Sequence, residues 1–340
     1  MSEGALAETP FHETHNWSTP IRDLGLTLAN TALEPIVDEL LGEVERLGVK
    51  VRPRCYLSTE WGVPFGTVAI AIPFYLASPE LTKLHEERAG FVEGVGRRDI
   101  LRYLRHELGH VVNYAYELFE REEWVAAFGS MTRPYREVYR PRPFSRSYVR
   151  HLPGWYAQKH PDEDWAETFA VWMTPGLDWR REYAEWKGAL AKLELCDRLM
   201  TAVRDEEPVV TADDLDEDVG ELPYSLSDLY ADAADEDGTP LPGLDGALHT
   251  VFDEADEIAG DSRPAADLIT RLRRQLPPLI YRWTGHFPEH TGELLRVMIR
   301  RAAELELCYA EGSEERVERE IVVLVTALAM NHVHGGSYLA

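Results

Sequence analysis

The sequence predicts an α+β chain that is mainly helical, with a small sheet near its start and a helical C-terminal extension. Three observations predict it. Residues 94–121, GVGRRDILRYLRHELGHVVNYAYELFER, carry apolar residues at helix spacing. Two β-branched, apolar runs precede them, at 49–57 and 66–75. A long acidic stretch then separates this part from a last hundred residues with three more segments of helical period.

Residues 1–30 show no clear period and read as an irregular or short helical lead-in. TALEPIVDELLGEVERL, residues 31–47, places Leu33, Ile36, Val37, Leu40, Leu41, Val44 and Leu47 on one helical face, with Gly48 as its stop. VKVRPRCYL alternates as a strand does and is interrupted by Pro53. GTVAIAIPFY, residues 66–75, is a second strand closed by Pro73. SPELTKLHEE opens a short helix, with Ser78 as cap and Pro79 in the first position. In the long helix, Asp99 sits near the start, and Ile100, Leu101, Leu104, Leu108, Val111, Val112 and Ala115 mark the buried face. Residues 130–160 hold four prolines and few aliphatics, so they read as loop. Helices follow at 162–173 and 178–204. In the last part, ADLITRLRRQL, TGELLRVMIRRAAELEL and VEREIVVLVTALAM are each helical. The expected division is a catalytic unit over 1–206, an acidic linker over 207–243 and a helical unit over 244–340.

At 340 residues the chain can bury a sizeable core or more than one. Its net charge of −25 is unevenly placed: residues 205–261 hold twenty Asp or Glu and no Lys or Arg. Such acidity argues against nucleic acid and anionic membrane as partners. There is no apolar run of membrane length, and the N-terminus has neither the basic nor the apolar region of a secretory signal. Cys55, Cys196 and Cys308 are odd in number and form no C-x-x-C pair. They read as small apolar residues of a reducing, cytoplasmic compartment.

The chemistry concentrates at HELGH. On a helix, residues four apart share a face, so His106 and His110 can turn both imidazoles to one metal ion. Glu107, one position round, is placed to serve as general base to the water that the metal activates. Gly109 costs a helix about 1 kcal/mol against Ala, which close approach of another segment would explain. A catalytic zinc takes a third protein ligand and keeps one position open. A third histidine six residues on is excluded, because Tyr116 stands there, and Asn113 replaces the glycine of that layout. A carboxylate from a later helix is the remaining choice. HPDEDWAETFAVW offers Glu163, Asp164 and Glu167 at i, i+1 and i+4. Asp164 and Glu167 share a face, so one could bind metal while the other takes a ring N–H of a ligand histidine. Ala166, Phe169, Ala170 and Met173 would pack this helix behind the first.

HELGH followed by DEDWAETFAVWMTP resembles the gluzincin branch of zinc metallopeptidases, and AETFAV is similar to a stretch of the Mlc titration factor group. YAQKHPDEDWAETFAVW after a long aromatic loop also resembles bacterial zinc-binding metallopeptidase families. The resemblance covers roughly residues 50–205. It implies a zincin-like catalytic domain, with a small sheet and the HExxH helix, and Zn2+ as cofactor. It implies His106, His110 and Glu167 as metal ligands and Glu107 as base. The tyrosine that precedes the ligand Glu in the titration factor group sits closer to it than Tyr156 does to Glu167.

The expected activity is hydrolysis of peptide bonds in a peptide or protein substrate. The developing oxyanion needs a donor besides the metal. Tyr148, Tyr156 and His151, in the loop before the acidic helix, are candidates beside Tyr114. The strand at 66–75 could pair with an extended peptide or be an interior strand. Residues 133–150 hold six arginines and the single acid Glu137. Three readings are open for this loop: solvated surface, recognition of acidic substrate residues, or internal docking of the acidic segment, including DDLDED and ADAADEDG. HETH at 12–15 lacks the four-residue spacing, and NHVHGG at 331–336 reads as a weak surface site. The rival function is a zincin scaffold acting as an adaptor or sensor through its C-terminal helices.

Overall fold

The computed structural model describes residues 17–89, 91–136, 139–231, 241, 243–258 and 260–338. HETH, Glu137 and most of ADAADEDG lie outside the described residues. The architecture is α+β and mainly helical, and among the described residues it is built around two large hydrophobic cores with two smaller clusters beside them.

The first core begins with helix α1, Glu34–Leu47, which buries Ile36, Val37, Leu40 and Val44 and stops at the left-handed Gly48. Strand β1, Arg54–Ser58, starts only after Pro53. The expected strand loses its first half there, because proline has no N–H to give a ladder. Strand β2, Ala69–Pro73, pairs with β1 in parallel, Tyr56 opposite Ala71, and is buried along its whole length. Helix α2, Pro79–Ala89, is capped by Ser78 Oγ, which accepts from Leu81 N at 3.1 Å. Helix α3, Gly96–Ala115, is tied to α1 by a two-pronged Arg105–Glu43 pair at 2.6 and 2.8 Å. A short helix α4, Glu122–Phe128, leads into the loop. Helix α5, Pro161–Met173, lies against α3 with nearly every residue buried. The expected helix 178–204 is a single turn, Trp179–Glu182, followed by helix α6, Lys187–Val203.

Helices α3 and α5 cross where Gly109 meets Ala166. A Cβ on Gly109 would stand 2.8 Å from Ala166 Cα, and Trp165 Nε1 donates to Gly109 O at 2.8 Å. The glycine is there to let two backbones touch.

The second core is built by helices α7, Leu244–Val251, α8, Ala265–Leu272, α9, Leu276–Thr284, α10, Pro288–Glu304, and α11, Glu314–Gly335. It also contains a small antiparallel sheet in the order β3–β5–β4, from Asp253–Glu254, Leu307–Ala310 and Ser262–Pro264. Two- to four-residue strands leave too short a pattern to read from sequence.

The acidic stretch behaves differently from a free tether over its described part. Val209 N and Val210 N donate to Ala115 O, Val68 N to Ala212 O and Val219 N to Leu57 O. Val219, Leu222 and Leu226 are buried in the first core. Its acids pair with Lys50, Arg54 and Arg121. Residues 207–230 therefore form a strap over the sheet and the end of α3. Apolar residues spaced among the acids give the strap one dry edge.

The arginine-rich loop meets the second core instead. Arg150 lies over Trp155 at 4.1 Å and reaches Trp283 at 5.8 Å. Tyr139 Oη donates to Gly154 O at 2.8 Å, and the Tyr139 ring packs edge-on against Phe287. Gly154, in the left-handed region with φ +81°, has the Tyr281 ring directly over it, where no Cβ would fit. No helix among the described residues is long and apolar enough to cross a membrane.

Candidate active site

Helix α3 presents His106, Glu107 and His110, all buried, and α5 presents Asp162, Glu163 and Glu167 across the crossing. The N-cap of α5 is His160. Its Nδ1 accepts from Asp162 N at 3.2 Å while Nε2 donates to Arg133 O at 2.8 Å. This ties the first turn of α5 to the loop at Arg133.

Three atoms converge. His106 Nε2 lies 3.2 Å from His110 Nε2, and Glu163 Oε2 lies 2.9 Å from the first and 3.3 Å from the second. The outer ring nitrogens face other carboxylates. His106 Nδ1 donates to Glu167 Oε1 at 3.1 Å. His110 Nδ1 has Asp162 Oδ2 at 3.0 Å, but off the N–H axis, so the contact is an ion-pair approach and not an aligned hydrogen bond. Glu167 also accepts from the backbone N–H of His151 and Leu152, each at 3.0 Å. Asp162 accepts from Asn113 Nδ2 at 2.7 Å and Tyr114 Oη at 2.5 Å.

The third position thus differs from the expectation. Glu163, and not Glu167, brings its carboxylate to the Nε2 side of both histidines; Glu167 stands one turn further on and takes Nδ1. The two acids are four apart, as the two histidines are. Sequence alone does not say which acid of such a pair sits level with the histidines, because the offset is set by the Gly109–Ala166 contact. Asp164 faces elsewhere: Lys192 Nζ donates to its Oδ2 at 2.5 Å.

Burial works against charge on both histidines, but the carboxylates around them win. His106 is raised to about 9, with Glu163 and Glu167 as the opposing partners, and His110 is raised well above the ordinary range by Asp162 and Glu163. Burial would raise Glu163, yet His110 and His106 hold it well below the usual carboxylate range. Metal binding there would displace the protons from both imidazoles. Two imidazole nitrogens and a carboxylate oxygen, with the far side of each ring facing a carboxylate, are the donor set of a zinc-class ion. His106, His110 and Glu163 bring one ligand atom each within 4.8 Å of the others and form a candidate metal site on geometry alone.

Glu107 lies beside this cluster with no hydrogen bond to its carboxylate among the described residues. Burial raises its pKa, with His106 and His110 opposing. It lines a cleft of about 560 Å³ together with Trp61, Gly62, Val63, Phe65, Tyr135 and Tyr156. A smaller recess of about 120 Å³ adjoins Glu107 and is walled by Glu60, Glu93, Tyr103, Tyr156 and, from the second core, Tyr281.

Of the expected oxyanion donors, Tyr156 lies in the cleft, its ring centroid 5.5 Å from that of His106. Burial holds its hydroxyl protonated. Tyr148 is not in the cleft; its ring packs on Lys192, 4.1 Å from Nζ, beside Asp164. His151 Nε2 donates to Arg102 O at 2.9 Å, away from the cleft. Tyr114 spends its hydroxyl on Asp162. Sequence reasoning missed Tyr135, whose hydroxyl donates to Glu163 Oε1 at 2.7 Å, and Asp162. The adjacent acids of HPDEDW were the available signal for Asp162; nothing local marked Tyr135. Strand β2 offers no edge at its midpoint, because Ala71 N donates to Gly62 O at 2.8 Å. The segment at 61–63 covers that side and itself lines the cleft.

No curated protein and no solved structure matches the chain. Residues 69–185, which carry both crossing helices and every candidate ligand of this site, match the family described as "putative zinc-binding metallo-peptidase".

Proposed function

We propose that this chain is a zinc-dependent peptidase in which His106, His110 and Glu163 hold the metal and Glu107 is the general base. The observation that carries the reading is the meeting of His106 Nε2, His110 Nε2 and Glu163 Oε2 within 3.3 Å of one another, beside Glu107 in a cleft. Bound zinc supplies a Lewis acid that acidifies water and polarises a carbonyl. The chain's own groups do the rest. Glu107 takes the proton of the attacking water and returns it to the leaving amine; its raised pKa suits it to both tasks. Tyr156, kept protonated by burial, donates to the developing oxyanion. Glu167 fixes the orientation of the His106 imidazole, and Asp162 stands as the counter-charge beside His110 Nδ1. An extended peptide would lie along Trp61, Gly62 and Val63 at the rim.

The test is a pair of measurements on the full chain, zinc content and turnover of a quenched-fluorescence peptide library. Glu107→Gln should keep one zinc at this site and lower kcat by about 10²–10⁴-fold. Glu107→Gln with undiminished turnover would remove Glu107 as base. A zinc-loaded wild type that cleaves no peptide, yet hydrolyses small amides, would move the substrate to another class.

A further inference from the structure

A second cluster of imidazoles lies in the other core, away from the cleft. His286 follows α9, His290 is on the first turn of α10, and His332 is on the last turn of α11. Their ring centroids stand 5.1–5.9 Å apart, and one ligand nitrogen from each lies within 4.8 Å of the others. His286 is buried; His290 and His332 are half-buried. His334, two residues on, is exposed and takes no part, so the H-x-H of the sequence contributes one ring only.

The hydrogen bonds fix which nitrogen of His286 is available. Thr291 Oγ1 donates to Phe287 O at 3.2 Å, so toward His286 it accepts. His286 Nδ1, 2.7 Å from that oxygen, therefore carries the proton. Nε2 keeps its lone pair, and Tyr338 Oη sits 2.7 Å from it. A ring whose far N–H is held by a fixed acceptor has the form of a metal-ligating histidine, and an ion at Nε2 would replace the hydrogen bond that Tyr338 Oη donates there. Tyr338 also stacks on His332, with centroids 4.5 Å apart, which places its oxygen at the mouth of the cluster.

We propose that His286, His290 and His332 form a second metal site, for a divalent ion of the zinc class, which staples the start of α10 to the end of α11. Three imidazoles suit zinc, cobalt, nickel or copper and not calcium or magnesium. A bound ion needs nitrogens about 2.0–2.1 Å from it, which the two half-buried rings can reach by rotation while His286 stays in place. Because Phe287, next to His286, stacks on Tyr281, the staple would also hold the wall of the smaller recess.

The test counts zinc on the full chain after dialysis against trace zinc. His106→Ala/His110→Ala should retain one zinc per chain, and adding His290→Ala/His332→Ala should remove it. Zinc should raise the Tm of the His106→Ala/His110→Ala chain, and should no longer do so once His290→Gln/His332→Gln is added. Cobalt(II) gives a separate readout: visible absorption that survives loss of His106 and His110 and vanishes with loss of His290 and His332. No metal on the His106→Ala/His110→Ala chain would overturn the proposal. So would metal that persists at full stoichiometry without His290 and His332 in a chain shown by circular dichroism to be folded.

Discussion

Glu163 and Glu167 stand one helical turn apart and address opposite nitrogens of the same imidazole. That difference separates their expected effects. Glu163→Ala removes a candidate ligand and should abolish zinc retention at the His106/His110 site. Glu167→Ala leaves the three converging atoms but frees His106 to rotate, and should weaken zinc binding about 10–100-fold. Equal losses from the two variants would mean that the acids share the metal. A second residue with a directional consequence is Glu93, in the recess. Burial, with Glu289, Glu107 and Glu60 around it and Lys159 opposing, raises its carboxyl to about 7. A carboxyl raised in the folded state binds more protons there than in the unfolded chain. Its contribution to stability is thus fully present below pH ~4.5 and is lost as pH rises through about 7. Glu93→Gln should raise the Tm near pH 8 relative to wild type and leave it little changed near pH 4.5. An equal Tm difference at the two pH values would show that Glu93 does not titrate in this window.

Elements carry a different lesson. The period of α3 was legible because it is long and has one consistent apolar face, that of α5 from Ala166, Phe169, Ala170 and Met173 at helix spacing, and Gly109 in HELGH announced a close crossing. Three things were not legible. Which acid of HPDEDWAETF meets the histidines depends on how far α5 slides along α3, and that is a contact between distant segments. The strap at 207–230 has no period; its Val and Leu residues bury singly, against partners the local sequence does not reveal. Tyr148 and Tyr156 look alike in sequence, yet the left-handed turn at Gly154 and Trp155, with φ of 81° and 63°, precedes only Tyr156, which lies in the cleft. The crossing is open to test. Alanine improves helix propensity at position 109 by about 1 kcal/mol, but its Cβ would meet the Ala166 backbone. Backbone cannot yield as a side chain can, so Gly109→Ala should cost about 1–3 kcal/mol net. A denaturant midpoint equal to or above that of wild type would show that the helices can separate without loss.

At the scale of the whole molecule, the two cores meet through aromatic and cationic contacts at the loop before α5. Tyr281 on α9 covers Gly154, lines the recess beside Glu107 and stacks on Phe287. Tyr281→Ala should therefore raise KM for peptides several-fold while zinc at the His106/His110 site stays at wild-type stoichiometry. Unchanged KM would separate the recess from substrate binding. The same residue sets an order of events during synthesis. Every candidate ligand of the His106/His110 site leaves the ribosome by Glu167, more than a hundred residues before Tyr281. At about 5–20 residues per second, the nascent chain spends roughly 5–20 s with the residues of the His106/His110 site made and its recess lacking a wall. A site assembled in that sequence gains the wall of its recess only after its own ligands are in place.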